Sequence, residues 1–335
     1  MPVMKFEDII KDLRNKVYHP VYFLMGDEPF FIDVIAKYIE DNVLDEAEKE
    51  FNFTQVYGKE TDVQTVISYA KRYPMMANHH VVIVKEAQAL NNIEALESYV
   101  QNPQKSTLLV VLYKYKTVDK RKTFAKTLQK SGILFESKKL YDNEVPKWIS
   151  DYVKRKGYAI DPRAVQMLAE YLGTDLAKIV NEVGKLFINL PKGEQITVKH
   201  IEDNIGISKD FNIFELQKAL ATKNSFKAFQ IAKYFEENPK SNPMPMTIAL
   251  LFSYFSKVLI YHSLKDKKPN SVAAALSVSP YFVNDYAVAA KSYSTAKLLD
   301  VISYIREYDM KSKGVGNISV PEGQLLKELI YKILN

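Results

Sequence analysis

Apolar residues recur at Phe6, Ile9, Ile10, Leu13 and Val17, the spacing that gathers side chains on one face of a helix over 5–17. His19-Pro20 breaks that period, and VYFLM (21–25) follows as a short apolar run, the mark of a strand buried on both faces. GDEP (26–29) predicts a turn with an acidic cap and Pro29 in the first turn of a helix, whose apolar face would carry Phe31, Val34, Ile35 and Tyr38. The alternation then repeats. FTQVY (53–57) reads as a strand, and Thr61 and Gln64 have capping-box spacing ahead of a helix over 61–72 with Val63, Val66, Ile67 and Ala70 inside. HVVIVK (80–85) reads as a central strand, followed by a helix near 91–101. TLLVVL (107–112) is the next strand, a basic helix follows at 119–131, and ILFES (133–137) is the last strand. Strands alternating with helices imply a parallel α/β sheet, predicted to occupy 1–141.

From about residue 142 the strand signal disappears. Val145, Trp148, Ile149, Tyr152 and Val153 form a helical stripe ending at Gly157, with Trp148 expected in the core. Asp161-Pro162 opens a helix that Gly173 stops; Leu176, Ile179, Val180, Val183 and Phe187 continue the series, and Thr197 caps a short fourth helix. These predict a helical bundle over 142–208. A third block, 209–335, is helical throughout. Phe211, Phe214, Leu216 and Leu220 with Phe226, Phe229 and Ile231 suggest a packed hairpin, and Ile248, Leu251, Phe252, Phe255 and Leu259 form the longest stripe. Ser271, Ser294 and Pro321-Glu322 would open later helices. The fold class is thus α/β plus all-α.

Composition narrows the function more than it identifies it. The 335 residues contain no cysteine, which removes disulfides, iron–sulfur clusters and thiolate zinc sites. Only 11 are glycine, against a usual share of about 7%, which disfavours glycine-rich phosphate loops. The net charge of +6 is too small to establish nucleic-acid binding. The N-terminus has neither a signal-peptide apolar core nor the acid-free character of a transit peptide. The apolar stretch 241–264 holds Lys257, Pro243 and Pro245 and falls short of a span of about 18 uninterrupted apolar residues, so a cytoplasmic protein with no membrane contact is expected.

Catalytic machinery is missing where the fold would put it. A phosphate loop needs unobstructed backbone N–H groups, a Lys and a Ser or Thr; the turn after the first strand reads GDEPFFID, with Gly26 alone fitting and two acids that repel a triphosphate. The five His (19, 79, 80, 200 and 262) have no metal-ligand spacing, and adjacent His79 and His80 would point to opposite faces of a strand. There is no G-x-S-x-G. No catalytic residue, cofactor or metal is expected.

Five segments in order resemble one family, the delta subunit of the bacterial DNA polymerase III clamp loader. PVYFLMGDEPFFID (20–33) is similar to its first strand and G-(D/E)-E turn, and RYPMMANHHVVIVKEAQAL (72–90) to its Pro-plus-apolar pair before a "vivvkea" strand. VDKRKTFAKTLQKSG (118–132) resembles its D-K-R helix, GTDLAKIVNEVGKL (173–186) its "g-d-l…n-E…K-L" segment, and FNIFELQKALATKNSFKA (211–228) the opening of its last domain. The resemblance implies a degenerate AAA+-like α/β domain without a P-loop (1–141), a helical lid (142–208) and a collar domain (209–335). It further implies a subunit that hydrolyses no ATP, binds the sliding clamp (the beta subunit) and holds the ring open for loading onto primed DNA. The partners implied are the clamp, the gamma/tau ATPase subunits and delta-prime. The family is catalogued under DNA-directed DNA polymerase because of the holoenzyme it serves. Delta-prime itself normally carries a Cys-rich zinc module, which a chain without cysteine lacks.

By the resemblance the clamp contact falls on Met75 and Met76, after Pro74, where the family more often has a Leu-Phe-like pair. From the residues alone, an apolar pair in a connector either tucks into the core or offers a small anchor, and thioethers adapt well to a partner's groove. The basic run Lys114, Lys116, Lys120, Arg121, Lys122, Lys126 and Lys130 reads either as a solvated helix face or as a surface for phosphates or a neighbouring subunit. The rival functions are a stand-alone DNA-binding protein and a divergent P-loop-type NTPase.

Overall fold

The computed structural model describes residues 4–205 and 211–335, and the chain divides into two compact units, 1–140 and 141–335. In the first unit the order is α1 (Phe6–Arg14), β1 (Val21–Gly26), α2 (Pro29–Asn42), α3 (Glu46–Asn52), β2 (Phe53–Tyr57), α4 (Val63–Ala70), β3 (His80–Lys85), α5 (Glu97–Val100), β4 (Thr107–Lys114), α6 (Thr123–Ser131) and β5 (Ile133–Ser137). The five strands form one parallel sheet in the order β2-β3-β4-β1-β5. β1, β3 and β4 are buried along nearly all their length, with continuous apolar runs at their centres, because helices cover both faces. Phe23, Met25, Val82, Val84, Leu109 and Val111 point to one core, shared with α4 and α6. Tyr22, Leu24, Val81, Ile83, Leu108 and Val110 point to the other, shared with α1 and α2.

Several expected details shift. The buried face of α2 is Ile32, Ile35, Ala36 and Ile39, so Phe31, Val34 and Tyr38 lie at its margin. The helix expected over 61–72 starts later: Asp62, and not Thr61, caps α4, its carboxylate accepting from Thr65 N–H, because a charged acceptor suits a helix N-terminus better than a hydroxyl. The helix expected near 91–101 is two short 3₁₀ turns, Ala87–Ala89 and Ile93–Leu96, running into the single turn of α5. The basic helix expected from 119 begins at Thr123. Asp119 Oδ1 instead accepts from Arg121 N–H at 2.9 Å, a local turn that competes with helix.

The second unit comprises α7 (Val145–Arg155), β6 (Ala159–Ile160), α8 (Pro162–Leu172), α9 (Leu176–Asn189), β7 (Gln195–Ile196), α10 (Val198–Ile205), α11 (Ile213–Ala221), α12 (Ser225–Glu237), α13 (Met244–Ser263), α14 (Pro269–Leu276), α15 (Val283–Ser292), α16 (Thr295–Ser312) and α17 (Glu322–Leu334). β6 and β7 pair in parallel, a strand contact that two-residue segments do not announce in sequence. Trp148 is only half-buried and stacks on Tyr152, its ring centre 5.3 Å away, while Val145, Ile149 and Val153 take the core positions of α7. Phe226 and Phe252 face solvent; Ile231, Phe235, Leu251, Tyr254 and Phe255 fill the core instead. α13 is long and apolar enough by composition to cross a membrane, yet Met244, Ile248, Leu251, Phe255 and Val258 bury one side of it in the helical core. The boundary anticipated between 208 and 209 lies outside the described residues.

Candidate functional site

The connector from α4 to β3 carries the apolar pair, and its backbone is held from beneath. Tyr99 Oη donates to Ala70 O at 3.2 Å, and Thr107 Oγ1 donates to Arg72 O at 3.4 Å. Asn52, the buried last residue of α3, pairs with Met75 in both directions: Nδ2 donates to Met75 O at 2.9 Å and Oδ1 accepts from Met75 N–H at 2.7 Å. A further bond from Nδ2 to Glu48 O, at 3.0 Å, fixes the carboxamide's orientation. Backbone groups that would otherwise invite the loop to fold inward are thus satisfied in place.

The side chains take the opposite course. Tyr73 is 76% exposed, Met75 62% and Met76 fully so. Met76 has φ of 54°, a left-handed conformation that L-residues adopt at roughly 1–2 kcal/mol. Pro74 stiffens the approach by fixing its own φ. Two large apolar side chains in water on a pinned, strained backbone have no folding rationale, and such outliers concentrate where a partner binds. The reading that tucks the pair into the core does not hold. Ala77 turns inward, against the core that contains Val81 and Ile83.

Beneath the loop lie two histidines. His80 is buried, its Nε2 3.4 Å from Thr54 Oγ1, and burial, with the Arg72 charge second, lowers its pKa below the ordinary value. Burial likewise lowers the pKa of His79, whose ring meets Tyr18 edge-on at 5.1 Å. They serve the strand's entry, and among the described residues no three His, Asp or Glu side chains gather as a metal site.

The basic run is largely matched with acid from elsewhere in the fold. Lys114 pairs with Asp33 at 2.6 Å, Lys122 with Glu94 at 2.7 Å, and Lys120 with Glu136. Arg121 binds Asp119 in a fork and holds that carboxyl down to about 2. Lys116, whose Nζ donates to Gln88 O at 3.1 Å, Lys126 and Lys130 are the exposed members of the run without an ion pair among the described residues. Within the run Asp119 is the sole acid, but neighbouring elements supply the rest. These positive charges do not converge into an open stripe.

The turn after β1 is closed by the chain's own polar groups. Glu28, itself buried, turns its carboxylate onto the N-terminus of α2, accepting from Phe30 N–H at 3.0 Å. That is the position a phosphate would take, and the chain fills it with its own anion. Ser137 closes the turn from the other side: its Oγ donates to Glu28 O at 2.6 Å and its carbonyl accepts from Glu28 N–H at 3.3 Å. Gly26 is required at this closure, since a Cβ there would lie 2.0 Å from Ser137 O.

The sequence model of the family described as DNA polymerase III, delta subunit, matches residues 22–138. That described as DNA polymerase III delta subunit, C-terminal domain, matches 210–323. The chain belongs to the DNA polymerase III delta subunit family. DNA polymerase III subunit delta of Bacillus subtilis (strain 168) is 28% identical over 320 residues, spanning 91% of each chain. The solved Bacillus subtilis DNA clamp loader delta protein (YqeN) is 25% identical, covers 98% of this chain and 99% of its own, and superposes with a TM-score of 0.57. Likeness over nearly the whole of both chains makes a parallel α/β domain with a helical C-terminal region the fold class of this delta-family chain. Pro74, Met75, Met76, Lys120, Arg121, Lys122 and Lys126 all fall within the first matched segment. Asn52, which sequence reasoning missed, does so too. Nothing local distinguishes it from any polar residue ending a helix, because its partner lies 23 positions away.

Proposed function

We propose that this chain is the clamp-loader subunit that grips the sliding clamp and holds its ring open while the ring is placed on primed DNA. The observation that carries the reading is the Met75–Met76 display: an apolar pair pushed into water by a backbone that Asn52 holds still, at the position where the family resemblance puts the clamp contact. Full burial of both thioether side chains is worth roughly 3–6 kcal/mol by transfer arithmetic, less the cost of association. A rigid loop raises the share that survives, because little is lost in ordering it.

Energy for the loading cycle then comes from elsewhere. The Glu28 carboxylate and the Ser137 closure occupy the phosphate position, so this subunit acts as a lever for the gamma/tau ATPase subunits. In this reading 1–141 is the clamp-binding domain, 142–208 the lid and 209–335 the collar that meets gamma/tau and delta-prime. The setting is the cytoplasm, where replication occurs. Lys126, with Lys120, Arg121 and Lys122 once their ion pairs exchange, would serve the assembled loader or its DNA.

Equilibrium binding to the organism's own clamp, wild type beside Met75→Ala/Met76→Ala, tests the reading. The expected result is tight binding that falls about a hundredfold or more in the double variant. Equal affinity of the two proteins would remove the pair from the interface.

A further inference from the structure

We propose that Phe51 is a third apolar anchor of the same interface, seated with Met75 and Met76 in an apolar surface of the clamp ring; this rests on the clamp reading of the Met pair. Phe51 is 64% exposed in the last turn of α3, a helix otherwise lined outward by Glu46, Glu48 and Glu50. A ring in that setting contributes nothing to the fold that a polar residue would not. Its neighbour Asn52 is the residue that holds Met75, so one pair of hydrogen bonds fixes the end of α3 beside the loop. The first unit has few large apolar side chains in water, and Phe51, Tyr73, Met75 and Met76 are four of them, on two elements locked together. Isolated exposed apolar residues are ordinary, whereas a group on joined elements marks an interaction surface on the order of a few hundred Å².

The partner's chemistry follows from the rim. Lys71 and Arg72 flank the patch on the connector side, and Glu48 and Glu50 on the α3 side. A complementary surface is therefore apolar at its centre with mixed charge at its edge, as protein interfaces are, and unlike a uniformly anionic nucleic acid. Asn52 couples the two elements, since its bonds to the Met75 backbone hold the end of α3 and the loop together and reduce what has to be ordered on binding.

Three substitutions and one probe test this with the full chain and its clamp. Phe51→Ala is expected to weaken binding about tenfold while leaving the unfolding midpoint unchanged, since the ring is already in water. Phe51→Leu is expected to keep most of the affinity. The absence of native cysteine allows Glu50→Cys to carry a polarity-sensitive fluorophore next to an intact Phe51, with exposed Lys138→Cys, just past the C-terminal end of β5 at the opposite edge of the sheet from β2, as the control. Clamp addition should shift the emission at 50 and not at 138. Wild-type affinity in Phe51→Ala, with Met75→Ala/Met76→Ala defective, would overturn the Phe51 anchor and keep the Met site. Sensitivity to Phe51→Ala with an unaffected Met double variant would keep Phe51 and overturn the Met site. A wild type that does not bind the clamp would overturn both.

Discussion

Asn52 and Met75, 23 residues apart, are joined as if by one rung of a sheet: the carboxamide of Asn52 donates to the Met75 carbonyl and accepts from its N–H. A side chain thereby does the work of a strand neighbour, with the advantage that the loop stays a loop. Its backbone is satisfied while its side chains remain free to meet another molecule.

Removing that rung should be felt in the loop first. Asn52→Ala is expected to destabilise the chain by about 1–3 kcal/mol, since the amide is buried and its three bonds are lost. Asn52→Asp should loosen the loop further by setting a carboxylate against the Met75 carbonyl. Urea unfolding reads the first effect, and faster hydrogen exchange at the Met75 and Met76 amides reads the second. Unchanged exchange in both variants would deny Asn52 its role.

Gly26 offers a sharper structural test. It has φ of 124° and leaves no room for a Cβ against Ser137 O. Gly26→Ala must therefore open the β1–α2 turn or part β1 from β5, at an expected loss of more than about 3 kcal/mol. Thermal unfolding of soluble protein, or its absence from the soluble fraction, is the readout. A midpoint within a degree of wild type would show that the turn relaxes freely.

The pH dependence of stability should report the buried histidine beneath the loop. His80 is neutral in the fold because burial and then the Arg72 charge depress its pKa, so unfolding takes up a proton once pH is below the unfolded value of about 6.5. Its contribution is fully present above that value and is lost as pH falls through the depressed folded value. His80→Gln should thus flatten the fall in unfolding free energy as pH drops below about 6.5, whatever its effect at pH 8. Parallel curves for the two proteins would contradict this assignment.

The sheet was legible because its strands are short, apolar and β-branched, and each is bounded by a helix of another period. VYFLM, FTQVY, HVVIVK and ILFES begin and end within a residue of β1, β2, β3 and β5. What escaped reading depended on tertiary approach. The β6–β7 pair is two residues long on each side and has no periodicity to detect. At 119 the helical pattern was genuine, yet Asp119 took the Arg121 N–H and delayed α6 by four residues. Trp148 and Phe252 kept helical spacing but lost the core to neighbours, since spacing gives a face and not its edges. The resemblance singled out Met75 and Met76, but their exposure could not be deduced from the sequence. That required Asn52 in place.

We propose that the chain grips the clamp ring through Met75 and Met76 and holds it open, which requires no nucleotide bound to this subunit. Clamp loaded on nicked circular DNA, then incubated with the chain in the absence of ATP, tests it directly. Wild type should release the ring from DNA at a rate well above spontaneous loss, and Met75→Ala/Met76→Ala should not. A clamp that stays on the circle while the wild-type chain is bound to it would contradict the account.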